Sequence, residues 1–344
     1  MQIGYGLLSC QRGPGETRTD AELYAEALAL AARAEAIGLD SVWTTEHHFT
    51  DDAYLSSQLA VLAAIAARTS RITIGSGLYL LPLYDPLHAA EDAATVDLIS
   101  GGRLVLGLGL GWRAEEFEAL GLRTRDRVPR LEAGMEVLRQ AWREPWLVTG
   151  DAAGVFAYEA PVNVTPHPAQ AGGPKLWIGA LAEPAIRRAG RIADGFMGTE
   201  ATPQAFAEQV GWVREEAERA GRDPDAIEIS LHRPVLVTRA ADPWAVVGQA
   251  HWYQTWKYED IEQARSSVVP RPLPPVPADR EAALRADLLA GTPEQVAEGI
   301  AAYQRAAGVP VHFIARSWFP GVHADVNAEA LELLGEVKQL LAGA

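Results

Sequence analysis

The stretch Ser41-Val42-Trp43-Thr44-Thr45-Glu46-His47-His48-Phe49-Thr50 decides how this chain is read. Its first half, Ser41 to Thr45, is a short apolar run and predicts a buried strand. The run passes directly into a carboxylate and two imidazoles. Titratable groups at the C-terminal end of a strand lie where α/β folds place their chemistry. The plain alternative is that these residues only cap the strand, so the flanking sequence has to choose.

Upstream, Ile3 to Leu8 predicts a first strand. Asp20 is placed to cap a helix through Ile37, with Leu23, Ala27, Leu30 and Ala34 on one stripe and Gly38 to end it. Downstream the alternation repeats. Strands are expected at 72–80, 104–108, 175–179, 195–199, 227–238 and 311–316. Helices are expected between them, and a last one at 326–341. Eight strands, each followed by helical sequence, predict a (β/α)8 TIM barrel in a single domain, 1–344. A doubly wound sheet with a C-terminal addition is the competing arrangement. Segments 143–173 and 262–280 lack a clear period and read as insertions.

Bulk properties narrow the function. The chain has 344 residues, 48% of them hydrophobic, enough to bury a full core. A net charge of -15 without basic clusters argues against nucleic acid and anionic membranes as partners. No run of about 18 apolar residues predicts a membrane span. The lone cysteine, Cys10, excludes an internal disulfide and fits a reducing compartment. The start Met1-Gln2-Ile3-Gly4 does not read as a signal peptide, so a cytoplasmic location is expected.

Within a barrel, functional groups belong at strand C-termini. Leu106-Gly107-Leu108-Gly109-Leu110-Gly111 has G-x-G-x-G spacing and is not a dinucleotide fingerprint. Its glycines let the backbone approach a flat ring or an anion. Arg113 reads either as a phosphate partner or as an exposed helix-start residue. Gly179-Ala180-Leu181 leads into a helix start whose amides can accept a phosphate. No metal site is expected, because HExxH and cysteine pairs are absent. His47 and His48 are adjacent, so at most one enters the mouth. His232, His251, His312 and His323 are scattered and read as surface or core residues. Trp252, Tyr253, Trp256 and Tyr258 read as a substrate wall or as helix packing.

Taken in order, four blocks resemble the luciferase-like flavin-dependent monooxygenases. They are Gly38 to Trp43 with Glu46 to Thr50; Leu81-Pro82, Asp85-Pro86 and Glu91-Asp92; Leu98 to Leu104 with Gly107 to Phe117; and Gly291 to Glu294 with Phe313 to Arg316 and Pro320-Gly321. The resemblance implies a (β/α)8 barrel with an insertion. It implies reduced FMN as co-substrate, delivered by a separate NAD(P)H:flavin reductase. The flavin reacts with dioxygen, giving a hydroperoxide that oxygenates a small organic substrate. A homodimer is implied as well.

His47 aligns with the family's catalytic imidazole, and Glu46 is expected to orient it or to contact nearby backbone. Gly77-Leu78 falls where the family has a cis peptide beside the flavin ring. Leu110 replaces a phosphate-binding arginine of the luciferase pattern, so Arg113 and the amides of Gly179, Ala180 and Leu181 are the expected substitutes. Gly111 and Met197 complete the expected cofactor set. Trp112, Trp256 and Arg316 are the expected substrate-facing residues. Part of the family uses a deazaflavin for hydride transfer instead, and Glu46-His47-His48 looks more like the FMN side. A flavin-binding barrel without turnover is the third reading, and His47 argues against it.

Overall fold

A computed structural model describes residues 1–199, 202–264 and 272–343, with backbone alone for 261–264. The chain begins with β1 (Gln2–Leu8), α1 (Asp20–Ala36), β2 (Ser41–Thr44) and α2 (Gln58–Ala66). It continues through β3 (Thr73–Ser76), α3 (Pro86–Ser100), β4 (Leu104–Leu108), α4 (Ala114–Ala119) and α5 (Arg127–Trp142). A hairpin follows, β5 (Leu147–Gly150) with β6 (Ala157–Asn163). Next come β7 (Lys175–Gly179), α6 (Glu183–Ile192), β8 (Gly195–Thr199), α7 (Pro203–Arg219), β9 (Glu228–Val237) and α8 (Pro243–Ala264). The chain ends with α9 (Ala278–Asp287), β10 (Leu289–Gly291), α10 (Pro293–Ala307), β11 (Val311–Arg316) and α11 (Ala324–Gly343).

Among the described residues, β1, β2, β3, β4, β7, β8, β9 and β11 pair in parallel. Because β9 bonds to both β8 and β11, the sheet closes into a barrel, which excludes the doubly wound arrangement. The short β10 adds to the C-terminal half of β9. Helices surround the barrel, and the main apolar core lies between them and the strands.

The barrel interior is packed solid at its lower end. Trp43 stacks on Trp177 with ring centroids 5.0 Å apart. Trp43 Nε1 donates to Ser41 Oγ at 2.7 Å, and Ser41 Oγ lies 2.6 Å from His312 Nε2. Burial pushes the His312 pKa down to about 4, so this ring is neutral. Gly75 makes room for this layer, since a Cβ there would meet Trp43 Cζ3 at 2.3 Å. Leu7, Val105, Met197 and Ile314 form the apolar layer with the two tryptophans.

Several local expectations change. Thr19, not Asp20, caps α1, through a capping box with Glu22. Gly38 does turn the chain, at φ 86°. The strand expected at 72–80 stops at Ser76. The Gly77–Leu78 peptide is cis, as is Gly6–Leu7. Beyond them Tyr79 makes a single bridge to Leu108, and Leu81–Leu83 is a 3-10 turn. The 143–173 insertion contains the β5–β6 hairpin, whose second strand is exposed on most positions and so carries no buried period. Of the 262–280 insertion, α9 covers the end; residues 265–271 lie outside the described residues. No described helix is long and apolar enough to cross a membrane.

Candidate active site

The loop after β2 is held so that its side chains reach two different places. His47 N donates to Leu55 O at 3.1 Å and Thr45 N to Leu8 O at 3.2 Å. Phe49, at φ 54°, turns the loop outward. Arg113 then clamps it: one guanidinium nitrogen donates to His48 O and another to Phe49 O at 3.2 Å. Its side chain is committed to this loop, beside Glu115 at 3.9 Å, rather than standing open to a phosphate.

Glu46 does not orient His47. It lies buried on the other side of the loop and accepts from Gln58 Nε2 at 3.0 Å, Tyr84 OH at 3.1 Å and Leu80 N at 3.3 Å. His48 Nε2 lies 3.0 Å from the same carboxylate. Burial works against a charge on His48, but the bond and charge of Glu46 outweigh it and raise its pKa. Gln58 extends this network, donating to Leu78 O at 2.7 Å and accepting from Thr44 Oγ1 at 2.8 Å. His48 is therefore the structural imidazole of the pair.

His47 is oriented instead by Glu116 on α4. Glu116 Oε1 lies 3.0 Å from His47 Nδ1 and accepts from the His48 amide at 2.9 Å. Glu116 is fully buried. Burial alone would raise its pKa, but the His47 and His48 bonds and the Arg113 charge bring it below the usual carboxylate range. The residue was not singled out from sequence. In sequence it is one of two glutamates at a helix start, a common pattern that complements the helix dipole. Around His47 stand Tyr54, with centroids 4.9 Å apart, Tyr258 at 5.5 Å and Trp112 at 6.0 Å. Trp256, two residues before Tyr258 on α8, packs beside Tyr253 and Lys257 instead.

The rest of the mouth is asymmetric. On one side are Leu78 and the bare backbone of Gly109 and Gly179; a Cβ on Gly179 would fall 2.3 Å from Leu78 Cδ1. Met197 and Val105 lie beneath Leu78. Polar groups follow on the next two strands, β8 and β9. Thr199 Oγ1 is 3.5 Å from His232 Nδ1, and His232 is level with the inward-facing Ile314. Burial, reinforced by the Arg316 and Arg233 charges, pushes His232 down to about 3. Arg316 ends β11, nearly buried, and its field also reaches Tyr54. Leu78, Gly179, Thr199 and His232 keep part of their surface accessible, so the mouth is open above the packed layers.

The remaining expected residues lie at the rim. Leu110 and Ala180 are half-buried against the core. Gly111 has φ 69° and its carbonyl accepts from Arg127 at 3.1 Å. Leu181 is 66% exposed and points away from this cluster of buried groups. The start of α6 has no side-chain cap and carries Glu183, which Arg187 engages at 2.7 Å. Cys10 is buried, and its thiol is pushed up to about 12 by burial and by Glu26, so it is inert. Among the described residues, no group of three or more His, Cys, Asp or Glu side chains is arranged to hold a metal ion.

Comparison with known proteins gives the family. The F420-dependent glucose-6-phosphate dehydrogenase of Kribbella flavida is 29% identical over 270 residues, 74% of this chain and 73% of that protein. The oxygenase component of the flavin-dependent trigonelline monooxygenase of Acinetobacter baylyi is 26% identical over 167 residues, which span 48% of this chain but only 45% of that protein. Among solved structures, monooxygenase RslO1 from Streptomyces bottropensis superposes with a TM-score of 0.82 at 25% identity, covering 100% of both chains. The first of these is described as F420-dependent and the second as flavin-dependent, and all three are oxidoreductases by name. A family profile described as luciferase-like monooxygenase matches residues 1–309, and the chain belongs to that family.

Proposed function

We propose that the protein is the oxygenase of a two-component system that uses reduced FMN and dioxygen to oxygenate a small organic substrate. The observation that carries this reading is His47 at the barrel mouth, backed by Glu116 and walled by three aromatic rings. The full-length likeness to a monooxygenase structure supports oxygenation as the reaction. The reading brings with it a separate NAD(P)H:flavin reductase and a homodimeric, cytoplasmic enzyme.

The mouth fits a flat ring with one apolar and one polar edge. Leu78, with the bare backbone of Gly109 and Gly179, would take its face, and Met197 lies under that wall. Thr199 and His232 would meet the polar edge. Reduced FMN, when bound, supplies the electrons that activate dioxygen. The protein's part is to control protons and water. With Nδ1–H donated to Glu116, His47 has Nε2 left to hold or release a proton at the mouth. The buried Glu116 carboxylate fixes the tautomer and the orientation of the ring. Tyr54, Tyr258 and Trp112 limit water around that nitrogen.

A second reading is favoured by the relatives. The F420-dependent dehydrogenase of Kribbella flavida is similar over about three quarters of both chains. On that reading the same His47–Glu116 pair would serve hydride transfer to or from a deazaflavin. Anaerobic titration with reduced FMN and with reduced F420 separates the two. FMN binding at least about tenfold tighter supports the proposal. Tighter F420 binding would transfer the site to the deazaflavin chemistry.

A further inference from the structure

His47 stands in an aromatic cage whose members come from three separate segments. Tyr54 follows the β2 loop, Trp112 follows β4, and Tyr258 lies on α8. Tyr54 meets the imidazole at 84° and Trp112 at 77°, with Tyr258 at 67°, all edge-to-face arrangements. Trp112 and Tyr258 also face each other, with centroids 6.1 Å apart. Trp112 remains 39% exposed although its neighbours His47 and Tyr54 are buried. A large indole left open beside a buried imidazole is apolar surface that a bound molecule would cover.

The cage also has loosely held hydroxyls. Tyr54 OH lies 3.3 Å from Tyr258 OH and 3.4 Å from Thr45 Oγ1. Good O–H···O bonds are about 2.7–2.8 Å long, so neither contact saturates these groups. A ligand oxygen would give them a better partner. The position of Tyr258 is fixed by anchors on the same helix. Lys257 Nζ pairs with Asp51 and lies 3.3 Å from Asp260, while Tyr253 OH donates to Asp52 Oδ2 at 2.9 Å. These contacts tie α8 to the loop that carries His47, so the cage is preformed.

We propose that this cage is the substrate subsite and that it takes a planar aromatic ring bearing an oxygen substituent, a phenol or an aryl ketone, with Tyr258 as the specificity-determining residue. Edge-to-face rings at this spacing reward another aromatic ring beyond simple burial, which an aliphatic chain does not match. The Tyr54–Tyr258 hydroxyls read the oxygen. The subsite rests on the reading of the mouth as a flavin-type active site. Tyr54 and Tyr258 come from different segments than the Leu78, Gly109 and Gly179 wall assigned to the cofactor, and only Trp112 shares a segment with it, the loop after β4.

The test is calorimetric titration of the full-length chain with 1-naphthol and with its saturated counterpart 1-decalol. We expect 1-naphthol to bind saturably and about tenfold tighter than 1-decalol. Tyr258→Ala should weaken 1-naphthol by about tenfold or more, and Tyr258→Phe, which keeps the ring, by about threefold to tenfold. Equal affinity for the two probes would overturn the proposal. So would unchanged 1-naphthol binding in Tyr258→Phe and in a folded Tyr258→Ala. A parallel anaerobic titration with reduced FMN separates the two claims. FMN displacing 1-naphthol would give the cage to the cofactor and overturn the assignment. FMN failing to bind while 1-naphthol binds as expected would sink the FMN reading and leave the aromatic subsite standing.

Discussion

Glu116 Oε1 lies 3.0 Å from His47 Nδ1 although 69 residues separate the two in sequence. That one contact fixes which nitrogen of His47 faces the mouth. It also passes through the loop, because the same oxygen accepts the His48 amide. Loss of the charge should therefore cost activity more than fold. Glu116→Gln is expected to lower turnover about hundredfold while leaving far-UV circular dichroism unchanged. His47→Ala should lower it at least as far. Steady-state oxygen uptake coupled to product formation checks both.

Gln58 bridges three polar groups around the mouth. It serves Glu46, the Leu78 carbonyl and Thr44. Gln58→Leu keeps the volume but strands buried polar atoms on three elements. A loss of about 2–3 kcal/mol in urea unfolding is expected. Flavin binding should weaken with it, because the Leu78 carbonyl loses its anchor.

The His48–Glu46 pair gives a pH signature. The His48 pKa is raised above its ordinary value of 6.5 in the folded protein. Its contribution to stability is then fully present below the unfolded value and fades as pH rises through the folded value. Wild type should exceed His48→Gln in unfolding free energy by more at pH 5.5 than at pH 8.5, both values flanking the ordinary imidazole pKa of about 6.5. A gap that stays constant over this range would remove the pair from the account.

Gly179 is the strictest backbone position of the mouth. A methyl group there would overlap Leu78. Gly179→Ala should displace Leu78 and lower flavin affinity about tenfold or more, with a stability cost of about 1–3 kcal/mol. Gly211, with open space at its Cβ, is the control: Gly211→Ala should leave affinity unchanged.

Much of the barrel could be read from the chain because buried strands and amphipathic helices alternate with clear turn residues. The hairpin Leu147–Gly150 with Ala157–Asn163 escaped because its second strand is mostly exposed and has no apolar period. The top of β3 was overextended because Ile72, Ile74, Leu78 and Leu80 keep an alternating apolar pattern, whereas the chain leaves the sheet after Ser76. In the site, the Glu46-His47-His48 run was legible from its place after a strand, and the family resemblance picked His47 out of it. Its partner was not legible, since Glu46 is adjacent in sequence but faces the opposite side of the loop, as alternation along extended backbone requires. On α8 the aromatic cluster was visible, but helical phase decides its members. Tyr258, two residues from Trp256, faces His47 while Trp256 packs with Tyr253.

The central claim is tested most directly by the reoxidation of reduced FMN. Reduced FMN would be mixed anaerobically with excess protein and then with oxygenated buffer in a stopped-flow spectrometer. The account predicts a protein-dependent phase slower than the oxidation of free reduced FMN, and a change in that phase in Glu116→Gln and His47→Ala. A time course identical with and without protein, together with tight binding of reduced F420, would contradict it.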